Sequence, residues 1–324
     1  MAAREQISDD VSTTVPGRDA PAGLIKTMAR WTVYPALVGG SLLLLWAILY
    51  LGAWMEWAPY TVLAWAPYVV VAIAGPLVIA AERALPYRPE WQASWSDLVD
   101  DGLYLTTVQI LLPLALAWTV VWAVSAYAAG EVVIVDIWPS HLPIWAQLIL
   151  KIMIGDFLRY WLHRAAHTWT PLWRLHAVHH QPEKLYTTNV FRFHPAEKAL
   201  QFMLDTLPFL LVGIGTEVLA YYFVFYSMSG LFQHSNCDVR LGWFNYLISG
   251  PEVHRWHHSQ KVSESNANYA HSFVIWDLLF GTYFRPRDRQ VDSLGLVERN
   301  YPRRFVGQLM APFRSRPVAS DDPT

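Results

Sequence analysis

Three stretches of this sequence, 31–54, 60–81 and 103–128, are almost uninterrupted apolar runs. Each is about twenty residues or longer, the length of helix that crosses a hydrocarbon core of roughly 30 Å. A fourth run, 142–161, is less pure, with Lys151 and Asp156 inside it. A lysine at that depth is costly unless it faces the interior of a bundle. A fifth, 199–232, is broken by Gly213, Gly215 and Glu217 and reads as two helices forming a hairpin. Composition agrees: 54% of the 324 residues are hydrophobic and 15% are charged, where a soluble domain carries about a quarter charged. The net charge of −2 gives no basis for nucleic-acid binding, and the single cysteine, Cys237, excludes an internal disulfide or a cysteine-based metal site. The polar stretch 1–30 lacks the apolar core of a secretory signal and reads as a disordered head.

The expected fold is therefore all-α: a multi-pass membrane helical bundle of about four transmembrane helices plus a helical hairpin, with a cytosolic His-rich cap. Lys and Arg set the orientation. Arg4, Arg18, Lys26 and Arg30 lie in the head, Arg83 and Arg88 follow the second run, and the His-rich region holds Arg159, Arg164, Arg174, Lys184, Arg192 and Lys198. The loops 55–59 and 130–141 contain neither Lys nor Arg. With four spans, every basic cluster falls on one side, the cytosol, as does the tail with Arg285, Arg287, Arg303 and Arg304. The tryptophans Trp54, Trp57, Trp118, Trp122, Trp138, Trp161, Trp169 and Trp173 fit interfacial belts.

Eleven of the twelve histidines lie between His163 and His271. His163 and His167 are four apart, which puts both rings on one helical face. His176, His179 and His180 form an HxxHH motif, and His254, His257 and His258 repeat it. His194, His234 and His271 are lone candidates, and His141 lies at the opposite end of the fourth run. A single i, i+4 histidine pair is usually surface decoration. Two HxxHH motifs and one HxxxH within about a hundred residues are not, and eight imidazoles exceed one metal's coordination number; they fit two metals with about four nitrogens each. Imidazole suits iron, zinc and copper alike. For His194 capping and ligation are both open, and for His271 packing is the expectation.

The run from Asp156 through Leu162 to His163 and His167, followed by His176, His179 and His180, resembles the core signature of the fatty acid hydroxylase/sterol desaturase family. The segments Phe193-His194-Pro195-Ala196-Glu197, Asn268-Tyr269-Ala270 and 276–283 are also similar to family segments. The resemblance covers about 142–285 and implies a di-iron centre, O2 as substrate, a lipid substrate such as a fatty acyl chain or sterol, and electrons from a separate reductase or ferredoxin. It implies His163, His167, His176, His179, His180, His254, His257 and His258 as ligands, with His234 as an extra ligand at the end of the hairpin. Some relatives carry a further histidine where this chain has Asp238, which leaves that residue open as a ligand, an outer acceptor or a structural group. Asp156 is an expected acceptor from an imidazole or a partner of Arg159 or Lys151, and Asn268 a further residue beside the metals.

The domain expectation follows: head 1–30, transmembrane helices 31–141, catalytic region 142–285 and cytosolic tail 286–324. The implied function is hydroxylation or desaturation of a lipid C–H bond, since both begin with the same hydrogen abstraction. Two other classes remain at this stage. A zinc-dependent membrane hydrolase needs fewer ligands and an open water position. A non-enzymatic metal or heme carrier needs histidines facing one another within the bilayer, whereas these follow the helix ends. No endoplasmic-reticulum retrieval signal stands at Asp321-Asp322-Pro323-Thr324, and a bacterial inner membrane is the preferred location.

Overall fold

The computed structural model describes residues 23–127 and 135–314 and is helical throughout, with no strand among the described residues. Helix α1 spans Leu24–Trp54 and α2 spans Pro59–Ala84. Helix α3, Trp95–Tyr104, starts on a capping box in which Ser94 and Asp97 satisfy each other's backbone N–H groups. It runs through a π-helical segment, Leu105–Leu111, into α4, Leu112–Tyr127. The widened turn has a local cause. Pro113 has no N–H to give to the carbonyl four residues back, and just before it Leu112 N–H bonds Thr107 O in the looser i→i+5 pattern. Among the described residues three stretches are long and apolar enough to cross a membrane: Leu24–Trp54, Pro59–Ala84 and Trp95–Val120. The expected head boundary moves, because α1 already begins at Leu24. Residues 1–22, 128–134 and 315–324, on which parts of the head, outer-loop and tail expectations fall, lie outside the described residues.

Helix α5, Ile144–Thr168, corresponds to the fourth run and continues without a break to both His163 and His167. Its 25 residues make it about 37 Å long at 1.5 Å per residue, enough to carry the histidines beyond the hydrocarbon. Helix α6, Thr170–His180, starts on Pro171 directly after it. The expected hairpin consists of α7, Pro195–Asp205, and α8, Leu207–Leu211, turning back into α9, Thr216–His234. Gly213, at φ +82°, makes the turn. The turn hydrogen-bonds the segment before α5, Val135 N–H to Leu211 O and Trp138 N–H to Val212 O, so the hairpin reaches the same depth as the start of α5. Helix α10, Pro251–His257, carries the last histidine motif.

Helices α1, α2 and α9 share one core, in which Tyr34, Val38 and Leu45 meet Val62, Val70 and Val78 and, on α9, Val224 and Met228. Ala66 and Ala74 are fully or almost fully buried there; small side chains let membrane helices approach closely. On the outside Trp46, Trp54, Trp118, Trp122, Trp145 and Trp169 are exposed, as lipid-facing and interfacial residues are. Two of the expected belt tryptophans belong elsewhere. Trp138 is buried and donates from Nε1 to Gln147 Oε1 at 2.7 Å, and Trp173 packs against the ring of His167, 5.3 Å between centroids.

The charges inside the fourth run have partners. Lys151 is completely buried and donates to Asp205 O at 2.6 Å, with Phe209 and Tyr222 ring faces 3.9 and 3.6 Å away. Arg159 donates to Asp205 Oδ2 at 2.8 Å and to Tyr226 Oη at 3.0 Å. Both charges thus turn into the space between α5, α7 and α9, the orientation that a membrane demands of them.

Candidate metal centre

The histidines arrive from four helices. His163 and His167 come from the end of α5, His176, His179 and His180 from α6, His234 from the last turn of α9, and His254 and His257 from α10, with His258 at its cap. They form two compact groups: His163, His167, His176, His180 and His257 in one, His179, His234, His254 and His258 in the other. Within each group one ring nitrogen per residue lies within 4.8 Å of all the others. The HxxHH motifs are crossed. The first and last histidines of α6 enter the first group and its middle histidine the second, while α10 does the reverse. Positions three and four apart do share a helical side, yet the two centres sit side by side and each motif serves both. The rings of His180 and His258 stack 4.5 Å apart where the groups meet.

The donor chemistry fits a cation in each group. In the first, His176 Nε2 lies 3.0 Å from Nε2 of both His163 and His180, and His180 Nε2 lies 3.1 Å from that of His257. In the second, His234 Nε2 is 3.2 Å from those of His179 and His254, and His258 Nε2 is 3.1 Å from that of His254. Donors at about 2.1 Å from one metal and about 90° apart are about 3.0 Å from each other. Where both rings have an oxygen acceptor at Nδ1, as His179 and His234 do, the Nε2 contact is not a hydrogen bond. His163 Nδ1–H donates to Tyr269 O (2.7 Å), His257 to Ala267 O (2.8 Å), His179 to Arg192 O (3.2 Å) and His234 to Asn189 Oδ1 (2.8 Å). His176 donates to Glu197 Oε1 (2.8 Å) and His167 to Asn266 Oδ1 (3.1 Å). Apart from Glu197, whose buried carboxyl holds a proton, every acceptor is an oxygen without a hydrogen, so His163, His167, His179, His234 and His257 carry their proton on Nδ1 and present lone pairs at Nε2. Lone pairs facing one another in a closed space repel unless a cation lies between them. His167 Nε2 is buried with no hydrogen-bond partner, the state of a donor reserved for a metal.

Electrostatics point the same way. Burial, followed by the charge of neighbouring imidazoles, drives the pKa values of His163, His167, His176, His180, His234, His254 and His258 well below the ordinary histidine range. The rings are neutral, as ligation requires. The contact of His176 with Glu197 is then a hydrogen bond between neutral groups rather than an ion pair, since burial pushes the Glu197 carboxyl up to about 8.

The other expected residues take more distant places. Asp156 touches no imidazole; its Oδ2 accepts from Ser272 N–H (3.0 Å) and Phe273 N–H (2.7 Å). Asn268, at φ +57°, donates to Val253 O and Phe284 O and accepts from Phe284 N–H. Asp277 accepts from Tyr269 and Ala270 N–H. Together these three clamp the segment 266–273, which supplies Asn266, Ala267 O and Tyr269 O to three of the rings. They position the acceptors that position the ligands, one step further out than expected. Asp238 is outside both groups: its carboxylate pairs with Arg30 (2.9 Å) and Arg240 (3.2 Å), tying the chain after α9 to the start of α1. His194 caps α7, accepting from Ala196 N–H and donating to Leu309 O. Glu197, which no reading of the sequence singled out, stands in the Phe193–Glu197 segment; a carboxylate at the third position of a helix opened by His194-Pro195 was the available signal.

A cavity of about 50 Å³ opens between the two groups, lined by His163 and His176 from one, His179, His234 and His254 from the other, and by Arg159, Phe193, Glu197, Gln201, Tyr226 and His271. Three of these side chains carry a buried polar atom without a partner: Glu197 Oε2, Gln201 Oε1 and His271 Nε2. His271 also packs its ring 4.1 Å from that of Tyr226, so packing, its expected role, is only part of what it does.

Fold and site together define a helical protein with membrane-spanning stretches and two adjoining groups of imidazoles, each able to hold a metal ion. The family model for fatty acid hydroxylase matches residues 148–282. Over 242 residues the chain is 32% identical to an ornithine lipid hydroxylase of Rhizobium tropici, covering 72% of this chain and 71% of the relative. It is 29% identical over 157 residues to an alkylglycerol monooxygenase of Xenopus tropicalis, 48% of this chain but only 34% of that longer relative. It is 30% identical over 147 residues to a very-long-chain aldehyde decarbonylase of Oryza sativa, covering 44% of this chain and 55% of the relative. No solved structure matches the chain. The chain belongs to the fatty acid hydroxylase family.

Proposed function

We propose that this protein is an O2-dependent, di-iron lipid hydroxylase. One iron is held by His163, His167, His176, His180 and His257 and the other by His179, His234, His254 and His258. The observation that carries the reading is the pair of converging Nε2 clusters, in which six of the nine rings turn Nδ1 to an oxygen. Iron at such a centre supplies activation of O2 with two electrons from a separate donor, a reductase or ferredoxin, in the balance RH + O2 + 2e⁻ + 2H⁺ → ROH + H2O. The chain's own residues hold and orient. The carbonyls of Ala267 and Tyr269 and the Glu197 carboxyl set the ring planes, and outer acceptors such as the carbonyls raise ligand basicity. The cavity beside both groups admits the reacting part of the lipid and excludes bulk water. Nine imidazoles in two groups overshoot a zinc hydrolase site, and their place at helix ends disfavours a heme carrier. Hydroxylation is preferred to desaturation because the relatives named above include a hydroxylase and a monooxygenase.

The cavity also bears on which carbon reacts. A bare hydrocarbon segment there would leave Glu197 Oε2, Gln201 Oε1 and His271 Nε2 unpaired, at about 1–3 kcal/mol each. The segment presented to the metals therefore carries a hydrogen-bonding group, and the C–H bond oxidised lies near the polar head of the lipid. Both test in one assay: the iron-loaded protein with reductant, lipid extract and 18O2. The expected outcome is about two irons per chain and a product hydroxyl carrying 18O within a few bonds of the head group. Turnover with one metal or without O2 would reject the oxygenase reading; a mid-chain or terminal hydroxyl would reject only the reading of the cavity.

The cap is placed on the cytosolic side, following the basic residues. A reporter fused after Arg314 is expected to read cytosolic and one fused after Glu56 external; the reverse would overturn the orientation.

A further inference from the structure

A second, larger cavity lies on the outer face of the cap, away from the metal-facing side of α10. It is a cleft of about 540 Å³ between the chain that follows α9, the segment 285–291 and Tyr87. Its volume is that of a small-molecule site. Five arginines line it, Arg240, Arg255, Arg285, Arg287 and Arg289, against two carboxylates, Asp238 and Glu252. The carboxylates within reach are already engaged. Asp238 pairs with Arg30 and Arg240, Glu252 with Arg285 at 2.8 Å while also accepting from Leu241 N–H and Asn245, and Glu264, behind the cleft, with Arg289.

Arg255 is left over. It stands on α10 between His254 and His257, is 6% exposed, and forms no ion pair among the described residues. Its Nε and Nη2 atoms are buried without a hydrogen-bond partner. The face of its guanidinium rests on the Tyr87 ring at 3.5 Å, a favourable contact that leaves the N–H edge unsatisfied. A buried, unpaired charge is strongly disfavoured, and the Nε–Nη2 edge of arginine is the fork that matches two oxygens of one anion.

We propose that this cleft binds a phosphate-bearing anion, with Arg255 as its two-pronged anchor and Arg240 at the rim. The lining is net positive, with five arginines to two carboxylates and only Glu264 behind the cleft, on Arg289, to offset it further, which suits a multiply charged group better than a single carboxylate. Two sources share this chemistry. Trp31, near the start of α1, packs against Gly242 at the cleft's edge, which sets the cleft at the level of lipid head groups; a phospholipid phosphate is one source and a soluble phosphate ester the other. The site is independent of the oxygenase reading, since nothing in it touches the metal cavity.

The test uses the full chain in nanodiscs of phosphatidylcholine alone or with phosphatidylglycerol, titrated with inorganic pyrophosphate by calorimetry. Saturable binding is expected, weakened at least tenfold by Arg255→Met and several-fold by Arg240→Ala, with metal content unchanged. If the resident anion is lipid, phosphatidylglycerol suppresses pyrophosphate binding in the parent protein; if it is soluble, disc composition makes no difference, and either result supports the site. Arg240 is half-exposed, so Arg240→Ala decides the matter should Arg255→Met lose its metal through misfolding. Absence of saturable binding in phosphatidylcholine discs, or binding that neither variant weakens, would overturn the proposal.

Discussion

Alanine at His176 or at His258 is expected to abolish lipid oxidation, with at least a thousandfold loss, and to do so through different metals. His176→Ala reduces the first group from five nitrogens to four, and His258→Ala reduces the second from four to three. The second group has less to spare, so metal per chain falls toward one in His258→Ala and stays closer to two in His176→Ala. The scale follows from the outer residues: losing a partner such as Glu197 costs about 10–100-fold in affinity or activity, which is the graded loss expected of Glu197→Gln, and losing the ligand itself costs more. The double variant His176→Ala/His258→Ala should look no worse in turnover than either single one, because residues that act as a unit do not add. His141→Ala, at the far end of α5, serves as the silent control. Metal analysis and mass spectrometry of the lipid product read these outcomes. Folded cluster variants that kept near-normal turnover would remove the histidines from the chemistry altogether.

The largest effect on stability is expected at Asp205. Its carboxylate holds Arg159 and its carbonyl holds Lys151, both inside the helical bundle. Asp205→Ala strands the buried guanidinium, and breaking a buried pair from one side costs about 3–5 kcal/mol. Replacing both partners, Asp205→Leu with Arg159→Met, should recover most of that loss, because it removes the stranded charge as well as the pair. Unfolding of the detergent-solubilised protein by denaturant measures both. A single Asp205→Ala variant as stable as the parent would mean that the network is not holding the bundle.

The sequence made the chemistry legible and left the wiring hidden, for a physical reason. Spacings of three and four fix which rings share a helical side, so eight of the histidines could be gathered from residue types and intervals, while His234, alone at the end of α9, was reached only through the family resemblance. Whether His179 joins His176 or turns to a second centre depends on where α9 and α10 lie against α6, which no local spacing encodes. The outer acceptors were equally hidden because half are backbone carbonyls, among them those of Ala267 and Tyr269, in a segment held by Asn268 within it, by Asp277 just after it and by Asp156 from far back along the chain. Asp238 shows the converse. A carboxylate at a position where relatives carry a histidine invites a metal reading, and only the placement of Arg30 and Arg240 beside it gives it a different task. In the bundle, apolar length identified three spans cleanly, whereas α5 carries Lys151, Asp156 and Arg159 and depends on its neighbours to be a membrane helix at all.

The crossing of the two HxxHH motifs has a consequence for the order in which the protein can come to life. Residues emerging before α10 supply four nitrogens of the first group but only His179 and His234 of the second. A nascent chain can therefore cradle one metal while the other has nowhere to settle, and only the arrival of His254 and His258 gives it a seat. The same short helix delivers His257 back to the first group in that instant. On the proposed di-iron reading, the ligand set of both metals is complete only once α10, the last of the four helices in the chain, has packed against α9.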